Sequence, residues 1–412
     1  MLNVEYIFLV MLSIAVMTAS AEQQFYVKQN TWVDSVIQSR RAMREYQASI
    51  KAGAGRLGTE QQAVPDMKKT AGDVWKSLCR DFPLESDWIM QETGYGSCAD
   101  WLTGPTITAQ KLTAFVAACT KRRNERLRPL RERWRFIVFT KHYNLGGSHY
   151  AYTEGQSDAQ SERHFIPGSA LCVLDTSAQF GAVHILTNDP RGVIRDPDVS
   201  YDGRSVLFSW KKSDREDDYH LYELDIKSRK ISQITEGLGF ADYEGVYLPD
   251  DTIVFNSTRC VQIVDCWWTE VSNIYTCDRE GNYLRRLGFD QVHVNYPQVL
   301  PDGRVIYTRW DYNDRGQIYP QPLFQMNYDG TAQTEYYGNN SWFPTTIMHA
   351  RGIQGSQKLI AVLSGHHSSQ QGKLALIDSS KGRQEASGVQ LVAPLSETKA
   401  VRIDGYGQCA HP

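Results

Sequence analysis

His366 and His367 stand side by side in the Gly/Ser-rich run "SGHHSSQQG". Adjacent imidazoles in such a loop present nitrogen to a metal or a haem iron, although neighbouring side chains in an extended segment point opposite ways, so one of the pair would bind while the other bonds locally. Cys260 and Cys266 lie six apart in one loop; in an exported chain they read as a loop-stapling disulfide rather than as thiolate metal ligands, since oxidised sulfur cannot serve as a thiolate ligand. No Cys-x-x-Cys occurs, so zinc ribbons, thioredoxin-type sites and covalent c-type haem are unsupported. Gly-x-Ser-x-Gly, P-loop and His-Glu-x-x-His are absent too, which leaves no hydrolase or nucleotide signature.

The elements that must carry these residues are written as repeats. "PDVSYDGRSVLFS" from Pro197 returns as "PQVLPDGRVIYTR" from Pro297, with "GVYLPDDTIVFNS" from Gly245 between them. Each line is a strand, a tight turn at Asp-Gly or Asp-Asp, and a second strand; each is followed by a long loop and another hairpin. Four antiparallel strands repeated about every 50 residues make a propeller blade, which buries both sheet faces only between neighbours. The expected fold is mainly β: a partial unit over 134–187, three blades over 194–338 and a looser fifth over 343–394. The closing "VRIDGYGQCAHP" (401–412) reads as an innermost strand. Either it joins the partial first unit and closes five blades, or a sixth blade is mostly missing.

Blade topology sorts the loops by end. The Asp-Gly turns and "DIKSRK", "DREGN" and "NYDGT" share one end; the long loops 141–168, 211–219, 257–272, 309–322 and 364–372 share the other with the blade-to-blade connections. That mouth gathers His142, His149, His164, Cys260, Cys266, Trp267, Trp268, Arg309, Trp310, His366 and His367 from the loops, and Arg195, Asp196, Asp242, Tyr243, Glu244, His293 and Tyr296 from the connections. A ligand-binding surface is expected there, with His142, His149, Arg195, Asp196, Tyr243, His293, Tyr296, Arg309, Trp310, His366 and His367 as its side chains. Asn256-Ser257-Thr258 and Asn339-Asn340-Ser341 match the glycosylation sequon.

Upstream, 22–133 is expected to be α-helical, with Leu112, Phe115, Val116 and Cys119 on one face and with Pro65, Pro83 and Pro105 dividing it into several helices. "KRRNERLRPLRER" (121–133) holds seven basic and two acidic residues: a solvated face leading into a linker broken at Pro129, or a surface for an anionic partner. Residues 1–21 carry an apolar run from Ile7 to Met17 and Ala19-Ser20-Ala21, the pattern of a cleaved export signal, although the n-region holds Glu5 and no Lys or Arg. That run is too short to span a bilayer. With 44 basic and 47 acidic residues and a net charge of −3, the chain lacks the basic excess of a nucleic-acid binder.

With those residues in hand, "FTKHYNLGGSHYAYTEG", "RDPDVSYDGRSVLFSW", "YLPDDTIVFNSTRC", "LPDGRVIYTRWDY", "YGNNSWFPTTI" and "SGHHSSQQGKLALID" resemble the middle domain of the hydrazine synthase alpha subunit and its bacterial relatives, a propeller similar to TolB and the PD40, or WD40-like, repeats. The resemblance runs from about Trp134 onward and implies six blades and a periplasmic setting. The synthase subunit carries c-type haems in flanking domains, and no haem-attachment motif occurs here, so hydrazine synthesis is not expected. Two functions follow as expectations: an exported module that docks a protein partner, small ligand or glycan at the propeller mouth, or a redox protein or subunit holding a metal or noncovalent haem at His366 or His367.

Overall fold

The computed structural model describes residues 56–143, 165–263, 270–311, 320–341, 344–365 and 372–393, apart from short stretches within 83–106 and at 178–181. The expected signal at 1–21 and the closing 401–412 lie outside these residues. Chain contacts divide the protein into two compact units: one holds Phe136–Asp175 and the chain from Val183, the other the helical residues through Arg135 with Thr176–Ala182.

The helical unit contains α1 (Arg56–Asp81), α2 (Cys98–Thr103) and α3 (Ala109–Arg133). Its core joins Ala71, Val74 and Leu78 of α1 to Leu112, Phe115 and Cys119 of α3, with Trp88 and Trp101 filling the space around Phe115. The three-to-four spacing puts those α3 residues on one stripe, as expected. Thr108 caps α3 by accepting from the Lys111 amide at 3.3 Å. Glu85 is buried and held by the Arg122 and Arg126 guanidiniums, which keep its carboxyl below the ordinary range although burial opposes them.

Two expectations about proline are corrected. Pro65 lies inside α1, and α3 continues through Pro129 to Arg133. Proline removes one i→i−4 donor, and at Pro129 the freed carbonyl belongs to Glu125, an exposed residue of the helix.

The second unit is a five-bladed β-propeller. Blade 1 has three strands among the described residues, β1 (Phe136–Lys141), β2 (Ser169–Asp175) and β3 (Ala182–Asp189), ordered β1-β2-β3. Four-stranded blades follow: β4–β7 (Val193–Gln233), β8–β11 (Asp242–Arg286), β12–β15 (Val294–Tyr337) and β16–β19 (Thr346–Ala393). β1 pairs antiparallel with β2, and every pairing between consecutive strands of the four-stranded blades is antiparallel. First strands of successive blades lie side by side, and apolar clusters such as Val246, Val254, Ile274, Val294, Val305 and Tyr307 fill the space between sheets. The hydrophobic faces thus need neighbours, which is why the motif repeats.

Turn chemistry matches the repeat lines. Gly203 and Gly303 carry φ of 71° and 85° at the Asp-Gly turns, and Asp202 Oδ1 and Asp302 Oδ1 each accept the amide two residues on. Gly281, in the β10–β11 turn, is more constrained: its φ is 79° and an added Cβ would lie 2.1 Å from the Ile234 carbonyl oxygen of the preceding blade. Gly281→Ala is therefore expected to lower unfolding free energy by about 2–3 kcal/mol, against little change for Gly203→Ala beyond its backbone strain, where nothing lies within 4 Å. Chemical denaturation of both variants checks the difference.

Candidate functional site

The first strand of each four-stranded blade breaks register at one equivalent place: between Arg195 and Asp198, Tyr243 and Val246, Asn295 and Gln298, Met348 and Arg351. Inside each break sits a residue with left-handed backbone: Asp196 (φ 54°), Glu244 (53°), Tyr296 (56°) and His349 (51°). None is glycine, so each costs on the order of 1–3 kcal/mol and persists only because its surroundings hold it. The next residue is Pro197, Gly245, Pro297 or Ala350. Proline suits a bulge that needs no ladder donor, and at Gly245 a Cβ would come within 2.8 Å of Leu207 in the preceding blade.

Those four residues meet in succession around the axis. Asp196 Oδ2 accepts the Glu244 amide (3.3 Å), Glu244 Oε2 accepts the Tyr296 amide (2.7 Å), and the Tyr296 ring lies 4.0 Å from that of His349. Arg195 is buried within this ring, donating to Asp196 Oδ2 at 2.8 Å, lying 3.7 Å from Glu244 Oε1 and facing the rings of Tyr219 and Tyr243. Asn256 Nδ2 donates to Glu244 Oε2 at 2.6 Å. One strand turn further along, Asp198 Oδ2 accepts the Tyr247 amide at 2.9 Å, tying the same two blades again.

Burial sets the charge states. It pushes the Glu244 carboxyl up to about 7, with the like charge of Asp196 adding and Arg195 opposing. Asp198 is pushed up to about 6 by burial against the pull of Arg351. The His349 imidazole is driven down to about 3 by burial and the Arg351 and Arg195 guanidiniums, so it is neutral. Its Nε2, and Asn256 Oδ1, have no hydrogen-bond partner among the described residues.

Of the expected site residues, Arg195, Asp196, Tyr243 and Tyr296 belong to this axial cluster, and His142 stands near it: burial and Arg195 lower its pKa, while Asp196 raises it. His142 Nδ1 is 2.8 Å from the Tyr143 carbonyl. His293 and Trp310 come together elsewhere, stacked at 5.7 Å with 12° between planes and each 1 % exposed, as packing between strands. Arg309 turns to Asp290 (3.0 Å) and Asp311 (3.3 Å) beside the Phe324 ring. His149, His366, His367 and Cys266 lie outside the described residues. Cys260 Sγ approaches the Val271 carbonyl at 3.1 Å, and no two described cysteines are bonded. The Asn256 sequon is corrected: the side chain is wholly buried and its amide nitrogen is engaged by Glu244. No group of three or more His, Cys, Asp or Glu among the described residues is arranged for a metal, and no described helix is long and apolar enough to cross a membrane.

Sequence reasoning placed Glu244 in a connection without giving it a role, and it passed over His349 altogether. Stacking the four lines "RDPD", "YEGV", "NYPQ" and "HARG" on the residue before Pro, Gly or Ala would have aligned all four axial positions.

No protein-family model matches the chain, and no curated protein does. Among solved structures it is similar to hydrazine synthase from Kuenenia stuttgartiensis (16% identity, 62% of this chain and 38% of that one, TM-score 0.47). It is similar also to TolB from Acinetobacter baumannii (16%, 51% and 46%, 0.36) and to a putative TolB from Agrobacterium tumefaciens (22%, 40% and 56%, 0.33). The chain therefore spans roughly half or less of the first two. The propeller assignment rests on this chain's own strand order.

Proposed function

We propose that this protein is an exported, periplasmic or secreted, binding module whose site is the axial cluster at the long-loop mouth of the propeller. The observation that carries the reading is the repeated left-handed bulge: four blades each hold a strained non-glycine residue at one register, and these converge with a buried arginine on the axis. Strain kept at equivalent positions of successive repeats marks a place where side-chain direction matters more than stability. The ligand class is polar, a small molecule or glycan or a protein segment entering the mouth, because the cluster offers a guanidinium, carboxylates and two imidazoles within an aromatic surround. Kinship with the hydrazine synthase middle domain belongs to this proposal and draws on the segments quoted above.

The test is native mass spectrometry of the full chain purified gently from an oxidising periplasm, with metal analysis and an absorption spectrum. A stoichiometric polar molecule or protein partner, released by mild denaturation, is the expected result. A chain that carries neither, but holds one metal or shows a Soret band, would replace this reading with the redox one at His366 or His367. A bare chain contradicts both.

A further inference from the structure

Alternation along β5 and one residue beyond it puts Phe208, Trp210 and Lys212 on one side of blade 2, and Tyr222 of β6 stands opposite Phe208 on that side. The Lys212 ammonium lies 4.5 Å from the centroid of the Tyr222 ring and 4.9 Å from that of Trp210. Lys212 is an exposed residue, and its ammonium makes no ion pair or hydrogen bond with a described residue. A long side chain free to reach water thus gives up rotamer freedom to lie on two ring faces.

The rings form a fixed corner. Their centroids are 5.1 Å apart with 60° between planes, and buried Phe208 backs both at 6.0 and 6.1 Å. Trp210 Nε1 donates to Asp189 Oδ2 of β3 at 2.8 Å, which ties the indole to blade 1, while Asp189 Oδ1 accepts the Arg191 amide at 2.8 Å. Gly192 leaves room for that carboxylate, since a Cβ there would lie 2.2 Å from Asp189 Oδ2. Asp217 brings a second negative charge: its Oδ2 accepts the Lys212 amide at 3.0 Å, and it adds to the burial that raises the Tyr222 phenol pKa.

Two rigid ring faces with a carboxylate nearby, and with no acceptor bonded to the cation between them, match one ligand chemistry best. A primary ammonium carries three N–H donors, which this corner leaves unused. A quaternary ammonium carries none and is held through aromatic faces. We propose that Trp210, Tyr222 and Asp217 form a binding site for a trimethylammonium group, and that Lys212 fills the corner whenever that group is absent. The site stands on the second and third strands of blade 2, apart from the axial residues on the first strands, so it holds or fails independently of the axial reading. As a resident competitor over two rings, Lys212 weakens binding of the external cation by about tenfold.

The experiment titrates tetramethylammonium chloride into the full chain labelled at its indole nitrogens and follows the Trp210 Nε1–H resonance, assigned with Trp210→Phe. In Lys212→Ala the resonance should shift saturably, with an affinity about tenfold above that of the wild-type chain, and sodium chloride at equal ionic strength should leave it in place. Asp217→Asn in the Lys212→Ala background should weaken the binding. No saturable shift in Lys212→Ala, equal affinity in the two chains, or the same shift with sodium chloride overturns the proposal. Should the alanine variant fail to fold, Lys212→Gln, which keeps the stem and removes the charge, is read in the same way. Choline and phosphatidylcholine vesicles, each used to displace tetramethylammonium, tell a free solute from a lipid headgroup as the source of the group; displacement by either supports the site, and displacement by neither overturns it.

Discussion

Glu244→Ala is expected to lower unfolding free energy by about 2–5 kcal/mol at about pH 5.5, where the raised pKa keeps the carboxyl protonated and its removal leaves two buried donors without an acceptor. The carboxyl group receives the Tyr296 amide and Asn256 Nδ2 on one oxygen and faces Arg195 with the other. Alanine strands both hydrogen-bond donors in a dry interior and removes the link that holds Tyr296 in its left-handed bulge. Glu244→Gln, whose amide oxygen accepts from the same two donors, should cost only about 1 kcal/mol under those conditions. Urea unfolding of the pair is the check; an alanine variant as stable as the glutamine one would mean that the axial bonds are ornamental to the fold.

The second large effect is the pH dependence that Glu244 imposes. Its folded pKa is raised from an ordinary value of 4.5 to about 7, so between those values the folded protein binds more protons than the unfolded chain. Its contribution is thus fully favourable below about 4.5 and is lost as pH rises through about 7, a change on the order of 3 kcal/mol. Asp198, raised to about 6, acts in the same direction. His349 acts in the other: depressed to about 3, it stays neutral in the fold while the unfolded chain protonates below about 6.5, so its contribution grows as pH rises between those values. The wild-type curve therefore mixes opposing slopes, and the informative quantity is a difference. Relative to wild type, Glu244→Gln should gain about 3 kcal/mol between pH values of about 4.5 and 7.5. Parallel curves would show that Glu244 ionises normally in the folded state.

How much of this the sequence carried can be argued from particular residues. Asp202-Gly203 and Asp302-Gly303 announce hairpins because a positive φ demands particular residue types, and the alternation around them announces strands. From these the blades followed nearly to their ends, since each blade's order is the order of the chain. The axial positions share a backbone angle rather than a residue type: Asp, Glu, Tyr and His occupy one register, and no pattern of hydrophobicity links them. His349 hides in "TIMHARG", which reads as an ordinary buried strand. His293 and Trp310 drew notice as residue types suited to a site, yet their flat stack fills a gap between strands, a distinction that only packing reveals. Pro129 misled for the opposite reason: a strong local signal was absorbed by an exposed helix end.

The central claim is that function resides on the axis at the mouth, not at the end formed by the Asp-Gly turns. The most direct measurement compares retention of the natively bound molecule or partner by two sets of folded full-chain variants. Asp196→Asn, which tolerates the left-handed backbone, and His142→Ala represent the mouth; Asp202→Asn and Asp302→Asn represent the opposite end. The account predicts at least a tenfold loss for the first set and wild-type retention for the second. Loss confined to the turn-end variants, with the axial ones unaffected, would contradict it.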